Sequence, residues 1–147
     1  MASSASTQAS LGVELLAVVA RLNRLVTQRT RLPLPWAQAR LLSTIQDQGA
    51  ARISDLAILD HCSQPTMTMQ VRRLEDAGLV DRTRHPHDAR AVLIRITPKG
   101  TETLARARAD RAAVVDPAIA RLDPEDRQAL AAAVRVMRRL LTDATRS

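Results

Sequence analysis

Aromatic residues are almost missing from this chain: Trp36 stands alone, with no Phe and no Tyr. The interior must therefore be built from Leu, Val, Ile, Ala and Met, and any pocket has at most one aromatic platform per chain. A single cysteine, Cys62, rules out an intrachain disulfide and suits a reducing cytoplasm, where the protein is expected to work. Only four glycines occur, scattered at Gly12, Gly49, Gly78 and Gly100, so no glycine-rich loop exists to cradle a phosphate. Ser/His pairs occur without any nucleophile-elbow motif, and an enzyme is not expected. His61, Cys62, His85 and His87 lack the compact spacing of metal ligands, so neither a metal nor a cofactor is expected. The apolar run from Leu11 to Ala20 is interrupted by Glu14 and followed by Arg21 and Arg24, which makes it too short and too amphipathic to span a membrane. The opening MASSASTQAS lacks the basic region of a secretory signal.

What is present fits one folded domain with helical extensions. The chain has 147 residues, 46% of them apolar, which is enough to bury a core. Its 22 basic residues outnumber 15 acidic ones, and Lys99 is the only lysine. An arginine-dominated excess suits a polyanionic partner, because guanidinium grips phosphate bidentately and stays charged. Biased coding composition accounts for the arginine preference equally well.

Leu15, Val18, Val19, Leu22, Leu25 and Val26 recur at helical spacing, predicting an amphipathic helix from about 10 to 31 after a flexible stretch 1–9, with Pro33 and Pro35 ending it. A second helix is expected from Trp36 to Gly49, with Leu41, Leu42 and Ile45 inward. A short strand turn at Arg52-Ile53 then leads to a short helix capped by Ser54 and containing Leu56, Ala57 and Leu59. Ser63 caps the next helix, with Pro65 in its first turn and Gly78 past its end. Leu79, Val80 and Arg82 start a strand that pairs with residues 91–96, and the basic stretch 82–90 is the exposed hairpin tip. Thr97-Pro98 caps a long helix that Pro117 is expected to kink or divide, and residues 123–126 cap a last helix reaching about Leu141. The fold class is mainly α with a small β-wing: a winged helix-turn-helix flanked by helices at both ends. The boundaries read 1–9, 10–35, 36–100 for the winged region, and 101–147.

In the helix after Ser63, Met67, Val71 and Leu74 form a stripe that must face the core. Pro65, Met69, Arg72 and Asp76 then point away, with Thr66, Thr68 and Arg73 on the flanks. Hydroxyls and an amide in the first turn with arginines one turn later suit a recognition helix, although an ordinary solvated face has the same composition. The wing weighs more. Arg82, Arg84, Arg90 and Arg95 place several charges on a thin ribbon with little core to stabilise, and arginine is favoured in a narrow minor groove. Asp88, two residues before Arg90, is placed to fix that guanidinium by an ion pair.

These segments, SQPTMT at 63–68, RRLEDAGLV at 72–80 and DARAVLIRITPKG at 88–100, resemble the multiple-antibiotic-resistance regulator (MarR) family of winged helix-turn-helix proteins. They include an Asp-x-Arg wing signature at Asp88 and Arg90 and a Thr-x-x-Gly exit at Thr97 and Gly100. Outside residues 36–105 the resemblance is one of architecture. It implies that Ser63, Gln64, Thr66 and Thr68 face the major groove; helical spacing adds Pro65, Met69 and Arg72 to the same outward surface. It further implies Arg73 toward the DNA backbone and Arg84 and Arg90 on the wing, where His85 and His87 at the exposed tip are expected to make phosphate or groove contacts beside Asp88. Met69 departs from the pattern, since many relatives carry a basic residue there. A thioether suits a thymine methyl better than guanine or phosphate.

The final helix carries Leu130, Val134, Met137 and Leu141 on one face, and the first helix has a comparable stripe. Either these extensions pair with a second copy or they cover the chain's own core. A two-fold dimer implies a pseudo-palindromic double-stranded operator. The resemblance also implies a repressor released by a small aromatic or anionic effector, held by Arg24, Gln28, Arg31, Trp36 and Arg40. Trp36 as a core plug beside solvated arginines is the plainer account. Cys62, in the turn before the recognition helix, reads as a small buried residue. The competing functions are a winged module that binds protein instead of DNA, and an architectural protein that coats DNA without sequence preference.

Overall fold

The computed structural model describes the backbone of residues 2–144 and the side chains of residues 10–144. Six helices and one hairpin follow in the order α1 (Ala2–Arg29), α2 (Trp36–Gln48), α3 (Ile53–Leu59), α4 (Gln64–Asp76), β1 (Val80–His85), β2 (Asp88–Ile96), α5 (Pro98–Ala120) and α6 (Pro124–Ala144). This is the expected winged helix-turn-helix with helical extensions. The flexible stretch expected over 1–9 is instead helical from Ala2, because no glycine or proline breaks the Ala/Ser/Gln segment before Leu11. Met1 and residues 145–147 lie outside the described residues.

The core is aliphatic, as the shortage of aromatics requires. Leu42, Ile45, Leu56, Met67, Val71, Leu74 and Ile94 are fully buried, drawn from α2, α3, α4 and β2. Helices α2 and α4 contribute stripes at three- and four-residue spacing, α3 adds Leu56 and Ala57, and together these close over the inner face of the hairpin. The strand expected near Arg52 is only one bridge, in which Ala51 and Ile94 exchange backbone hydrogen bonds of 3.1 and 2.8 Å. Arg52 rather than Ser54 occupies the cap of α3, with no side-chain capping bond. Ile53 is already helical because the Ala51 bridge ends the extended segment one residue earlier than composition suggests. His61 takes a left-handed φ of 51° in the turn between α3 and α4.

Two compact units divide between Arg111 and Ala112. The first holds α1, the winged region and the first half of α5, whose Gly100, Leu104 and Ala107 are buried. The unit boundary therefore falls within α5 and not at its start, since this half-helix belongs to the winged core. Pro117 does not divide α5, which stays one helix to Ala120. The second unit carries α6, capped by Asp123 Oδ1, which accepts from the Asp126 N–H at 2.8 Å. Among the described residues none of α6 is buried, and Leu130, Val134, Leu140 and Leu141 are exposed.

Candidate nucleic-acid interface

Helix α4 is anchored at both ends. Ser63 Oγ accepts from the Thr66 N–H at 3.3 Å and lies 2.9 Å from Thr66 Oγ1, so the cap and the first-turn threonine support each other. At the other end Gly78 leaves the helix with φ +74°, a left-handed turn that a Cβ would strain. Three contacts from the start of α5 hold this exit: Thr97 Oγ1 donates to the Gly78 carbonyl at 2.7 Å, Lys99 Nζ to the Ala77 carbonyl at 2.9 Å, and the Thr97 N–H to the Leu79 carbonyl at 3.0 Å. Thr97 Oγ1 also accepts from the Gly100 N–H at 3.0 Å, capping α5.

With Met67, Val71 and Leu74 sunk in the core, the opposite face of α4 is committed to solvent. Ser63, Gln64, Pro65, Thr66, Thr68, Met69, Arg72 and Arg73 are all exposed. Thr68 Oγ1 donates back to the Gln64 carbonyl at 2.8 Å, leaving its lone pairs outward. Arg73 Nη2 rests 3.9 Å from the Met69 sulfur, a weak acceptor that parks the guanidinium along the helix.

The hairpin is tighter than its composition suggests. Strand pairing reaches His85 and Asp88, so the tip is Pro86-His87 and not the whole stretch 82–90. The register slips after the Arg84–Val92 pair to His85–Asp88, leaving Ala89, Arg90 and Ala91 in a bulge. A bulge re-aims a side chain, and here that residue is Arg90. Asp88 Oδ1 accepts from the Arg90 backbone N–H at 3.0 Å. The expected Asp88–Arg90 ion pair is therefore replaced by an Asx-type turn that shapes the bulge, and among the described residues the guanidinium has no ion pair. His85 Nδ1 accepts from the His87 N–H at 3.1 Å, which folds the tip onto itself. Arg82 is diverted from the wing surface: its Nε donates to both Glu75 oxygens, at 2.9 and 3.1 Å, and ties the wing's base to the last turn of α4.

A second feature lies between α2 and the first half of α5. A cavity of about 240 Å³ is lined by Leu32, Trp36, Ala39, Leu104, Ala107 and the polar groups of Arg40, Ser43, Arg108 and Arg111. Trp36 is 38% exposed and is no core plug. The Arg111 guanidinium lies 4.3 Å from its ring centroid, a cation–π contact. Arg111 also donates to Thr27 Oγ1 at 3.0 Å and to Asn23 Oδ1, while Arg108 donates to Gln46 Oε1 at 2.9 Å and Ser43 Oγ at 3.0 Å. Arg40 is ion-paired with Asp60 at 2.7 Å.

Comparison with known proteins decides the family. The MarR family model matches residues 34–92, which contain α2, α3, α4 and most of the wing. An HTH-type transcriptional regulator of Mycobacterium bovis is 32% identical over 138 residues, covering 93% of this chain and 96% of the relative. The chain belongs to the MarR family. A transcriptional regulator from Pseudomonas aeruginosa superposes with a TM-score of 0.74 at 25% identity, covering 97% of each chain. A MarR family protein from Bacillus stearothermophilus has the same fold, with a TM-score of 0.70 at 23% identity over 92% of this chain and 96% of its own.

As a MarR-family protein it is a winged helix-turn-helix, DNA-binding transcriptional regulator and not an enzyme. Among the described residues no group of three or more His, Cys, Asp or Glu could hold a metal, and no helix is long and apolar enough to cross a membrane. Cys62 is half-buried against the core. Of the five residues expected around an effector, Trp36 and Arg40 line the cavity, whereas Arg24, Gln28 and Arg31 do not. Arg108 and Arg111 take their place. Helical spacing around Trp36 could not have found them, because they arrive from α5 across more than sixty positions of sequence.

Proposed function

We propose that this regulator binds a pseudo-palindromic duplex as a two-fold dimer, with α4 in the major groove and the wing against the adjacent minor groove. The observation that carries the reading is the uncompensated charge of the exposed surface. Among the described residues the ion pairs are Arg40–Asp60, Arg82–Glu75 and Arg106–Glu102, which leaves Arg72, Arg73, Arg84 and Arg90 available to phosphate or groove. Ser63, Gln64, Thr66 and Thr68 read base edges from the helix N-terminus, and Met69 contacts a thymine methyl. Pro65 shapes that first turn, while His85, His87 and Asp88 hold the wing tip. Exposed apolar faces on α1 (Leu11, Leu16, Val18, Leu22) and on α6 support pairing with a second copy, since such stripes are seldom left in water. On this reading residues 10–35 and the part of 101–147 beyond Arg111 carry the dimer contacts, while 36–100, backed by the first half of α5, bind DNA.

Selection of bound duplexes from a random pool, with the mass of the complex measured on the winner, tests this directly. Two inverted half-sites about one helical turn apart, bound by two chains, are expected. Enrichment without symmetry or sequence would favour a coating protein, and no enrichment a protein-binding module. Either result overturns the proposal.

The same dimer acts as a repressor released by a small aromatic anion in the Trp36 cavity. Among the described residues Arg108 and Arg111 find only neutral hydroxyl and amide acceptors there, beside an apolar wall and one ring face. A carboxylate would exchange those acceptors for a charged one, and binding would shift the population of reading-head spacings. Because Trp36 is the only fluorophore, benzoate should quench the intrinsic emission saturably. Arg111→Gln should raise the half-saturating concentration about tenfold. A linear quench, equal in both proteins, would remove the cavity from consideration.

A further inference from the structure

Met69 has a second consequence, which rests on the assignment of α4 to DNA. Of the methionines whose side chains are described, Met67 is fully buried and Met137 is half-buried, while Met69 is 47% exposed. Its sulfur lies 3.9 Å from Arg73 Nη2, one helical turn along. A thioether is a poor acceptor, so Arg73 is held weakly and exchanges readily to a phosphate. A sulfoxide oxygen in the same place would be a strong acceptor for that guanidinium. We propose that Met69 is an oxidation site on the reading helix, where conversion to the sulfoxide captures Arg73 and lowers affinity for DNA.

The reaction is balanced by a peroxide. A sulfur lone pair attacks one peroxide oxygen, the O–O bond breaks as the S–O bond forms, and proton transfer releases the other oxygen as water. Sulfur loses two electrons and hydrogen peroxide is reduced. Two effects then act in one direction. The apolar group facing a thymine methyl becomes polar and larger, and the neighbouring arginine is drawn from solvent to the new oxygen. Met67, two residues earlier, is protected by the core, so the damage is confined to the outward face.

The experiment compares each protein with itself before and after hydrogen peroxide, in a Cys62→Ser background that removes thiol oxidation. Peptide mass mapping follows the sulfoxide, and titration with the selected duplex follows affinity. Met69 is expected to oxidise before Met137 and Met67, with affinity falling about tenfold or more, the equivalent of one charge-assisted contact. In the Cys62→Ser, Met69→Leu protein the treated and untreated affinities should be equal, whatever their absolute value. Met69→Gln, which places an amide oxygen near Arg73, should show a reduced affinity without any oxidant. An equal loss in the Met69→Leu protein, or full conversion of Met69 with unchanged affinity, overturns the proposal. Absence of duplex binding by the untreated protein would instead strike at the assignment of α4.

Discussion

Replacing Gly100 by alanine will lower stability by roughly 3 kcal/mol, the upper part of the range for forcing extra volume into a packed site. A Cβ at this position would stand 2.1 Å from the Leu79 carbonyl oxygen and 2.7 Å from Ile96 Cγ1. The first of these is backbone and cannot swing aside. The Leu79 carbonyl also accepts from Thr97, so moving it breaks the clasp between α4 and α5. Gly12 is the matched control: it lies within α1 and nothing comes within 4 Å of its added Cβ. Alanine there should stabilise by about 0.5–1 kcal/mol through helix propensity. Urea midpoints of the two variants, at one protein concentration, should move in opposite directions. Equal, small shifts would mean that α5 and the Leu79 carbonyl are free to move apart by the width of a methyl group.

Arg90→Ala will weaken binding to the selected duplex by about 1–3 kcal/mol and reduce the salt dependence by roughly one unit in the log–log slope. The charge sits in the bulge at the wing tip and pairs with no carboxylate among the described residues, so its loss is felt by DNA and hardly by the fold. The role of Asp88 gives a sharper comparison. Asp88→Asn keeps an oxygen for the Arg90 N–H and removes a negative charge, so binding should be retained. Asp88→Ala opens the turn and should reproduce part of the Arg90 defect. If the asparagine variant were as weak as Arg90→Ala, an ion pair to the guanidinium would be the better account. Duplex titration at several salt concentrations reads all three.

Much of the reading helix was legible from spacing alone. Met67, Val71 and Leu74 at i, i+4 and i+7 identify the buried face, and Ser63 and Gly78 mark ends that the hydrogen bonds respect. Local chemistry suffices there because a helix's periodicity and caps are set within a few residues. The wing was legible as a hairpin, but its tip was not. Polar composition over 82–90 reads as loop, whereas cross-strand bonds extend the ladder to His85 and place the slip beside Arg90. Arg82 read as a DNA-facing charge, and Glu75, seven residues earlier, claims it instead. The cavity was least legible. Trp36 and Arg40 are local to α2, but Arg108 and Arg111 meet them only through tertiary packing of α5. Pro117 carries the opposite lesson, since α5 continues three residues past a residue that usually ends a helix.

The clasp at the end of α4 has a practical consequence for handling the molecule. Lys99 is the only lysine, and its ammonium is engaged with the Ala77 carbonyl. Amine-directed dyes, cross-linkers and sensor surfaces therefore have one side-chain target, and it sits at the junction between reading helix and α5. Coupling there would replace a helix-capping cation with a neutral amide. Tethers are better placed, after Cys62→Ser, on a cysteine introduced at an exposed polar position away from α4, the wing and the apolar faces of α1 and α6.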